Sequence, residues 1–386
     1  MNYIFISPNF PRSYENFVVR LREKGICVLG IGDAGYYHLS DALRRNLTEY
    51  YKVDDLSNYE QVYRAVAYFI FHYGRIDRLE SHNEFWMEQD ARLRADFSIP
   101  GLRPEQMDGI RRKSEMKKTY EQAGIPTTRG GRVLDFAQAK QLCGQIGYPV
   151  CVKPDVGVGA ADVCRIDSEK ELSRYFLNTD PQPFVIEEFV DAPIVTYDGL
   201  TDAQGNIVYC SSMRFDQPIL SMVKPGRDFT YYVERTIPQE LEQLGRRCVQ
   251  AFGVRERFFH FEFFRRAEGS LCALEVNLRP PGGYTMDMWD YAGDFDVYAA
   301  YAEVLLTGRM KEEPTRPYYC LYYGRFEDQA YRYPPEAFFD RFGVNMCMYR
   351  RMEGVFTQMG DYFFIARTPY RETLDEMRDF LAAREE

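Results

Sequence analysis

Residues 258–280, FFHFEFFRRAEGSLCALEVNLRP, form two apolar runs around a polar turn, and each run carries a carboxylate near its centre. Successive strand side chains point to opposite faces. In the second run Leu274, Val276 and Leu278 therefore share one face, and Glu275, Asn277 and Arg279 the other. In the first run Phe259, Phe261 and Phe263 oppose His260, Glu262 and Phe264. With a turn close to Arg266–Ser270, the registers that keep the apolar faces together bring Glu262 and Glu275 onto one surface. Like charges facing each other across a ladder repel, and a carboxylate taken out of water is costly unless something compensates it. A cation relieves both: magnesium takes oxygen ligands, typically one or two carboxylates completed by waters and substrate phosphates. Glu262, Glu275 and Asn277 can supply such oxygens. A solvated hairpin face with scattered charges is the competing reading of the same pattern.

The rest of the chain narrows the choice. At 386 residues it is too long for one ordinary core and implies two or three domains. Its 45% hydrophobic and 27% charged content is that of a globular protein, not a disordered one. A net charge of −10 with no basic stripe argues against nucleic acid as a partner, while leaving room for a local basic pocket that holds a small anion. Nine cysteines, an odd number without a CxxC pair, sit singly inside apolar segments, the pattern of reduced thiols rather than of a disulfide framework or zinc site. The amino terminus lacks the basic start and long apolar core of a signal peptide, and no apolar run approaches a membrane span. A cytoplasmic location without membrane contact is expected.

Along residues 1 to about 100, strand-like runs (YIFIS, ICVLGIG, EYYKV) alternate with helical ones, which predicts a parallel sheet covered by helices. A helix over EQMDGIRRKSEMKKTYEQAG follows, closed by Gly124 and Pro126. A small α/β unit runs to about Asp180. Longer strands and the hairpin come next, then a helix over MWDYAGDFDVYAAYAEVLLTG, a proline-bearing linker, and a final set of short strands closed by a helix. The expected divisions are residues 1–104, 105–182, 183–310 and 311–386.

Two glycine-rich stretches compete as phosphate sites. GIGDAG, with Gly30, Gly32 and Gly35, fits the dinucleotide pattern, and Asp54 and Asp55 lie near the spacing of a ribose-binding acid. It falls on the second strand of its unit, however, and a short, weakly amphipathic helix follows. The stretch YPVCVKPDVGVGAADVCRI instead delivers Lys153 at the end of a strand, and Gly157 and Gly159 leave a loop whose amides can approach phosphate closely. In PFVIEEFVDAP a strand runs into Glu187, Glu188, Phe189 and Val190, where backbone groups could meet the edge of a base.

Taken in order, RRKSEMKKTYEQAGIP, VCVKPDVGVGA, FVIEEFV and FHFEFF…LEVNLRPPGG resemble the ATP-grasp ligases, the superfamily of carboxylate–amine and carboxylate–thiol ligases that includes D-alanine–D-alanine ligase and biotin carboxylase. The resemblance covers most of the chain. It implies a mixed α/β and α+β architecture: an ATP-grasp fold with an N-terminal Rossmann-like parallel-sheet domain, which absorbs GIGDAG as one of its loops, and a small C-terminal α+β subdomain. It places Lys113 and Lys153 on the ATP phosphates, the loop Asp155–Ala161 with Gly157 and Gly159 over them as a flexible cover, and Glu187, Glu188, Phe189 and Val190 at the adenine hinge. Glu262, Glu275 and Asn277 become ligands of Mg2+, with Mn2+ as a substitute. Arg279 stabilises the transferring phosphoryl group, and Arg279, Lys153 and Arg214 are expected to carry the catalysis.

Two positions depart from the family pattern. Ile194 stands where many members have a ribose-binding Glu, and Ala160 and Ala161 stand where the phosphate loop usually has a Ser. The implied activity is an ADP-forming carboxylate–amine ligation through an acyl-phosphate, on a small carboxylic or amino acid and an amine. A bicarbonate-using carboxylase, a non-catalytic nucleotide-binding regulator and a nicotinamide oxidoreductase are the rivals, and a homodimer is compatible with each.

Overall fold

The computed structural model describes residues 1–157, 163–215, 227–311, 314–352 and 358–385. Its first hundred residues build the expected parallel sheet from β1 (Asn2–Ile6), β2 (Cys27–Gly32), β3 (Glu49–Lys52) and β4 (Arg78–Glu80), in the order β3-β2-β1-β4. β4 has only three residues, too few for any periodicity to mark it in the sequence. Gly30 and Gly32 lie inside β2, where a Cβ on Gly32 would come within 2.5 Å of Tyr50 Oη. These glycines admit the neighbouring strand's tyrosine; they do not form a phosphate loop.

A second sheet holds β5 (Gly130–Val133), β6 (Val150–Pro154), β7 (Cys164–Ile166) and β8 (Phe184–Glu188), antiparallel in the order β5-β8-β6-β7. Helices Phe136–Ile146 and Glu169–Asn178 contribute to its core. Because β8 pairs with both β5 and β6, this unit reaches Glu188, beyond the expected limit at 182.

The third sheet is large and antiparallel. It contains β9 (Ile194–Thr201), β10 (Ile207–Ser211), β11 (Met213–Phe215), β12 (Phe229–Val233), β13 (Phe258–Arg265), β14 (Leu271–Asn277), β15 (Tyr319–Arg325), β16 (Met346–Arg351) and β17 (Tyr362–Thr368). The order is β14-β13-β9-β11-β12-β15-β17-β16, with β10 on β9. β15 hydrogen-bonds to β12 over five residue pairs, so the expected C-terminal α+β unit is built onto this sheet and the limit at 310 divides chain segments, not sheets.

Two expected helices are each split. The first becomes Pro104–Arg111 and Lys113–Gln122, because Arg112 is extended (φ −90°, ψ 117°) and bridges Val156. The Lys113 amide then donates to the Asp155 carbonyl at 2.9 Å, and the Ser114 amide to Asp155 Oδ1 at 2.9 Å. The break seats Lys113 at a helix start beside the end of β6. The second splits into Thr285–Gly293 and Val297–Thr307 around Asp294, at φ +50°.

The opening hairpin forms with its turn at Arg266–Ser270, and Glu262 stands directly opposite Glu275. One detail differs from simple alternation. Phe263 pairs with Ala273 while Glu262 pairs with Glu275, so Leu274 is an extra residue in a bulge. Leu271, Ala273, Val276 and Leu278 consequently pack with Phe259, Phe261 and Phe263, whereas Leu274 turns to the Glu275 side.

Candidate functional site

The small sheet, the large sheet and the loop after β4 enclose a cavity of about 380 Å3. Along its floor, direct strand pairing sets like against like. Ile194 of β9 faces Phe264 of β13 and Phe215 of β11, which makes one end apolar. Toward the other end Thr196 faces Glu262, and Asp198 faces His260, so that end is polar and acidic.

On the small-sheet side Lys153 of β6 is buried and its Nζ lies 2.7 Å from Glu187 Oε2. Lys117, one helical turn beyond Lys113, reaches Glu187 Oε1 at 3.2 Å and also donates to the Thr128 carbonyl. Burial alone would raise the Glu187 carboxyl, but the Lys153 and Lys117 ammonium groups hold it down at about 2. Burial likewise opposes the charge of Lys153, and Glu187 overcomes it, leaving Lys153 raised. The expected hinge residue Glu187 is thus first of all the counter-ion of two buried lysines. Glu188 accepts from Arg129 Nε at 2.8 Å and from Arg266 Nη2 at 2.7 Å, tying β8 to the hairpin turn. The Phe189 amide is taken by the Pro149 carbonyl at 3.1 Å, so it is not open to a base, while Phe189 and Val190 line the cavity. Gly157 sits beside them, its carbonyl accepting from Lys113 Nζ at 3.0 Å. Gly159 and most of the expected phosphate cover lie outside the described residues.

At the acidic end Lys113 Nζ stands 3.6 Å from Glu275 Oε1. Burial raises the Glu275 carboxyl; Lys113 opposes the shift and Glu262 adds to it. Two opposed carboxylates in one buried cavity with the Asn277 amide are a donor set that fits a hard divalent cation. Among the described residues no group of three His, Cys, Asp or Glu side chains could hold a metal. Arg279, next to this set, donates to Glu84 Oε2 through Nη2 at 2.6 Å and Nε at 3.2 Å. Burial works against its charge, and Glu84 keeps the guanidinium raised.

The structure thus brings Lys113, Lys153, Gly157, Glu187, Glu188, Phe189, Val190, Glu262, Glu275, Asn277 and Arg279 to one cavity. Arg214 is a correction. Its strand partners are Val195 and Tyr232, while its neighbours Met213 and Phe215 line the cavity, so alternation turns Arg214 to the opposite face. Sequence reasoning missed Lys117, Glu84 and Asp198. Only Lys117 left a signal, its i+4 spacing from Lys113; the other two are brought in by distant pairing.

Residues 146–287 match a family model described as an ATP-grasp domain, and the chain carries such a domain. It is similar to the L-arginine-specific L-amino acid ligase of Bacillus subtilis, 25% identical over an alignment of 272 positions that covers 64% of each chain. It is also similar to the carbamoyl phosphate synthase large chain of Paenarthrobacter aurescens (strain TC1), 31% identical over 119 residues, which are 29% of this chain and 11% of that one. The chain therefore spans only about a tenth of the length of that large chain. Among solved structures, the L-amino acid ligase from Bacillus licheniformis superposes with a TM-score of 0.76 at 17% identity, covering 98% of this chain and 96% of that one. The biotin carboxylase domain of Hydrogenobacter thermophilus 2-oxoglutarate carboxylase, solved with MgADP, ADP and bicarbonate, gives 0.71 at 17% identity over 99% and 90%. Both likenesses establish the ATP-grasp fold with its mixed α/β layers. Among the described residues no helix is long and apolar enough to cross a membrane.

Proposed function

We propose that this chain is an ATP-dependent, ADP-forming ligase that joins a small carboxylic or amino acid to an amine through an acyl-phosphate. The observation that carries the reading is the opposition of Glu262 and Glu275 in the same cavity as Lys113, Lys153 and Arg279. The ATP-grasp domain and the likeness to an L-amino acid ligase support it.

In this reading the base lies on the apolar floor near Ile194 and Phe264, against Phe189 and Val190. Lys153 and Lys113 bind the phosphates, with Gly157 close by. Glu262, Glu275 and Asn277 would hold Mg2+, or Mn2+ in its place, which supplies charge neutralisation at the phosphates when bound. A substrate carboxylate oxygen attacks the γ-phosphorus as the bond to the ADP oxygen breaks. The amine then displaces phosphate from the acyl carbon and forms the C–N bond. Arg279 faces the negative charge spread over the transferring group, and the first step draws on positioning and electrostatics with no protein nucleophile.

The test is ADP release measured over a panel of amino and organic acids, with and without amines, with mass spectrometry of the products. An amide product formed in step with ADP is expected. ADP release that requires bicarbonate would favour a carboxylase, and absence of ADP with every acid and amine would favour a regulator that only binds nucleotide.

A further inference from the structure

Behind Glu262 runs a chain of hydrogen bonds that the ligase reading does not use. The Met213 amide donates to Thr196 Oγ1 at 2.9 Å, and the Thr196 hydroxyl donates to Asp198 Oδ2. The other oxygen of Asp198 meets His260 Nδ1 at 2.6 Å, and His260 Nε2 meets Glu262 Oε1 at 3.1 Å. Asp198 and Thr196 are fully buried, and His260 nearly so. All four side chains belong to adjacent strands β9 and β13, where Asp198 stands directly opposite His260 and Thr196 opposite Glu262. A buried carboxylate is costly to keep without a partner. Here its partner is an imidazole whose second nitrogen is spent on one oxygen of Glu262.

We infer that His260, braced by Asp198, is a positioning residue that fixes the Glu262 carboxylate by one oxygen and presents the other toward Glu275. The inference rests on the reading of Glu262 and Glu275 as a divalent-cation site. An imidazole flanked by two carboxylates cannot rotate without losing a contact at each end, so Glu262 is held in one rotamer on a rigid strand. Outer partners of this kind usually change metal affinity about 10- to 100-fold when removed.

The two imidazole nitrogens can be separated by substitution. His260→Asn places an amide near the position of Nδ1 and keeps the bond to Asp198 while losing Glu262. His260→Gln places its amide nearer the position of Nε2 and keeps Glu262. The readout is calorimetric binding of a non-hydrolysable ATP analogue titrated with Mg2+, together with binding of the same analogue in EDTA. His260→Asn is expected to raise the Mg2+ concentration for half-maximal binding about 10-fold or more, with His260→Gln closer to wild type and EDTA binding equal in all three. Asp198→Asn, which removes the brace on His260 while leaving the His260–Glu262 contact, should give a smaller rise and serves if His260→Asn does not fold. Wild-type Mg2+ dependence in His260→Asn or, failing it, in Asp198→Asn overturns the inference and leaves the ligase reading standing. Analogue binding by wild type that ignores Mg2+ overturns both.

Discussion

Lys153 Nζ lies 2.7 Å from Glu187 Oε2, and Lys117 Nζ lies 3.2 Å from the other oxygen, so two buried ammonium groups share one carboxylate. Replacing Lys153 therefore has two effects. Lys153→Met should weaken ATP binding and also destabilise the apo protein, by about 1–3 kcal/mol and with a lower melting temperature, because Glu187 loses one of its two cations while Lys117 remains. Adding Glu187→Gln should restore part of the stability and none of the nucleotide affinity. Differential scanning calorimetry with and without nucleotide reads both. Wild-type ATP affinity in the single variant would remove Lys153 from the phosphate site.

Glu262 and Glu275 differ in their surroundings although they face each other. Glu275→Gln relieves repulsion and leaves Lys113 with the Gly157 carbonyl, so the apo protein should keep its stability within about 1 kcal/mol or gain a little. ADP release and the stabilisation brought by Mg2+–ATP should both collapse. Glu262→Gln should abolish the same two signals, with a larger loss of apo stability because His260 loses a charged acceptor. Retention of activity and of nucleotide-dependent stabilisation in both variants would sink the cation site.

Arg279 and Glu84 join the hairpin's exit to the loop after β4, and both side chains are largely buried. Glu84→Gln should cost about 1–3 kcal/mol in urea unfolding, since it leaves a buried guanidinium short of its counter-charge. In a double-mutant cycle with Arg279→Met, the pair should show a coupling of about 0.5–3 kcal/mol. Additive losses would mean that the two side chains act independently.

Asp290 titrates in the opposite sense from Glu187. Burial raises its carboxyl to about 9, while the Val297 amide, 2.7 Å from Oδ1, pulls it down. The unfolded chain ionises near the ordinary carboxylate value of about 4, so stability is lost as pH rises from there through about 9. Asp290→Asn keeps an acceptor for Val297 and removes the titration. In urea unfolding its stability margin over wild type should grow from pH 5 to pH 8 by up to about 1.4 kcal/mol per pH unit, about 4 kcal/mol in all. A margin that does not change with pH would refute the assignment.

What the sequence by itself determined is local. Period-2 alternation placed Glu262, Glu275, Asn277 and Arg279 on one side of a hairpin with its turn at Arg266–Ser270, and the strand–glycine junction placed Lys153. Both depend on neighbours along the chain, which is why they were legible. The parallel sheet of the first hundred residues was legible for the same reason, from apolar runs spaced by amphipathic helices. The tertiary structure alone decided the rest. The Leu274 bulge reflects how β13 and β14 settle against each other, and the turning of Arg214 to the face opposite the cavity follows from the pairing of β11 with β9 and β12. The break at Arg112 exists because Val156, some forty residues on, offers it a backbone partner. Glu84 meets Arg279 across 195 positions, and Asp198 meets His260 across 62. A buried charge needs a partner, but which one it finds is set by strand register and by the packing of one sheet on another, and no spacing along the chain encodes that.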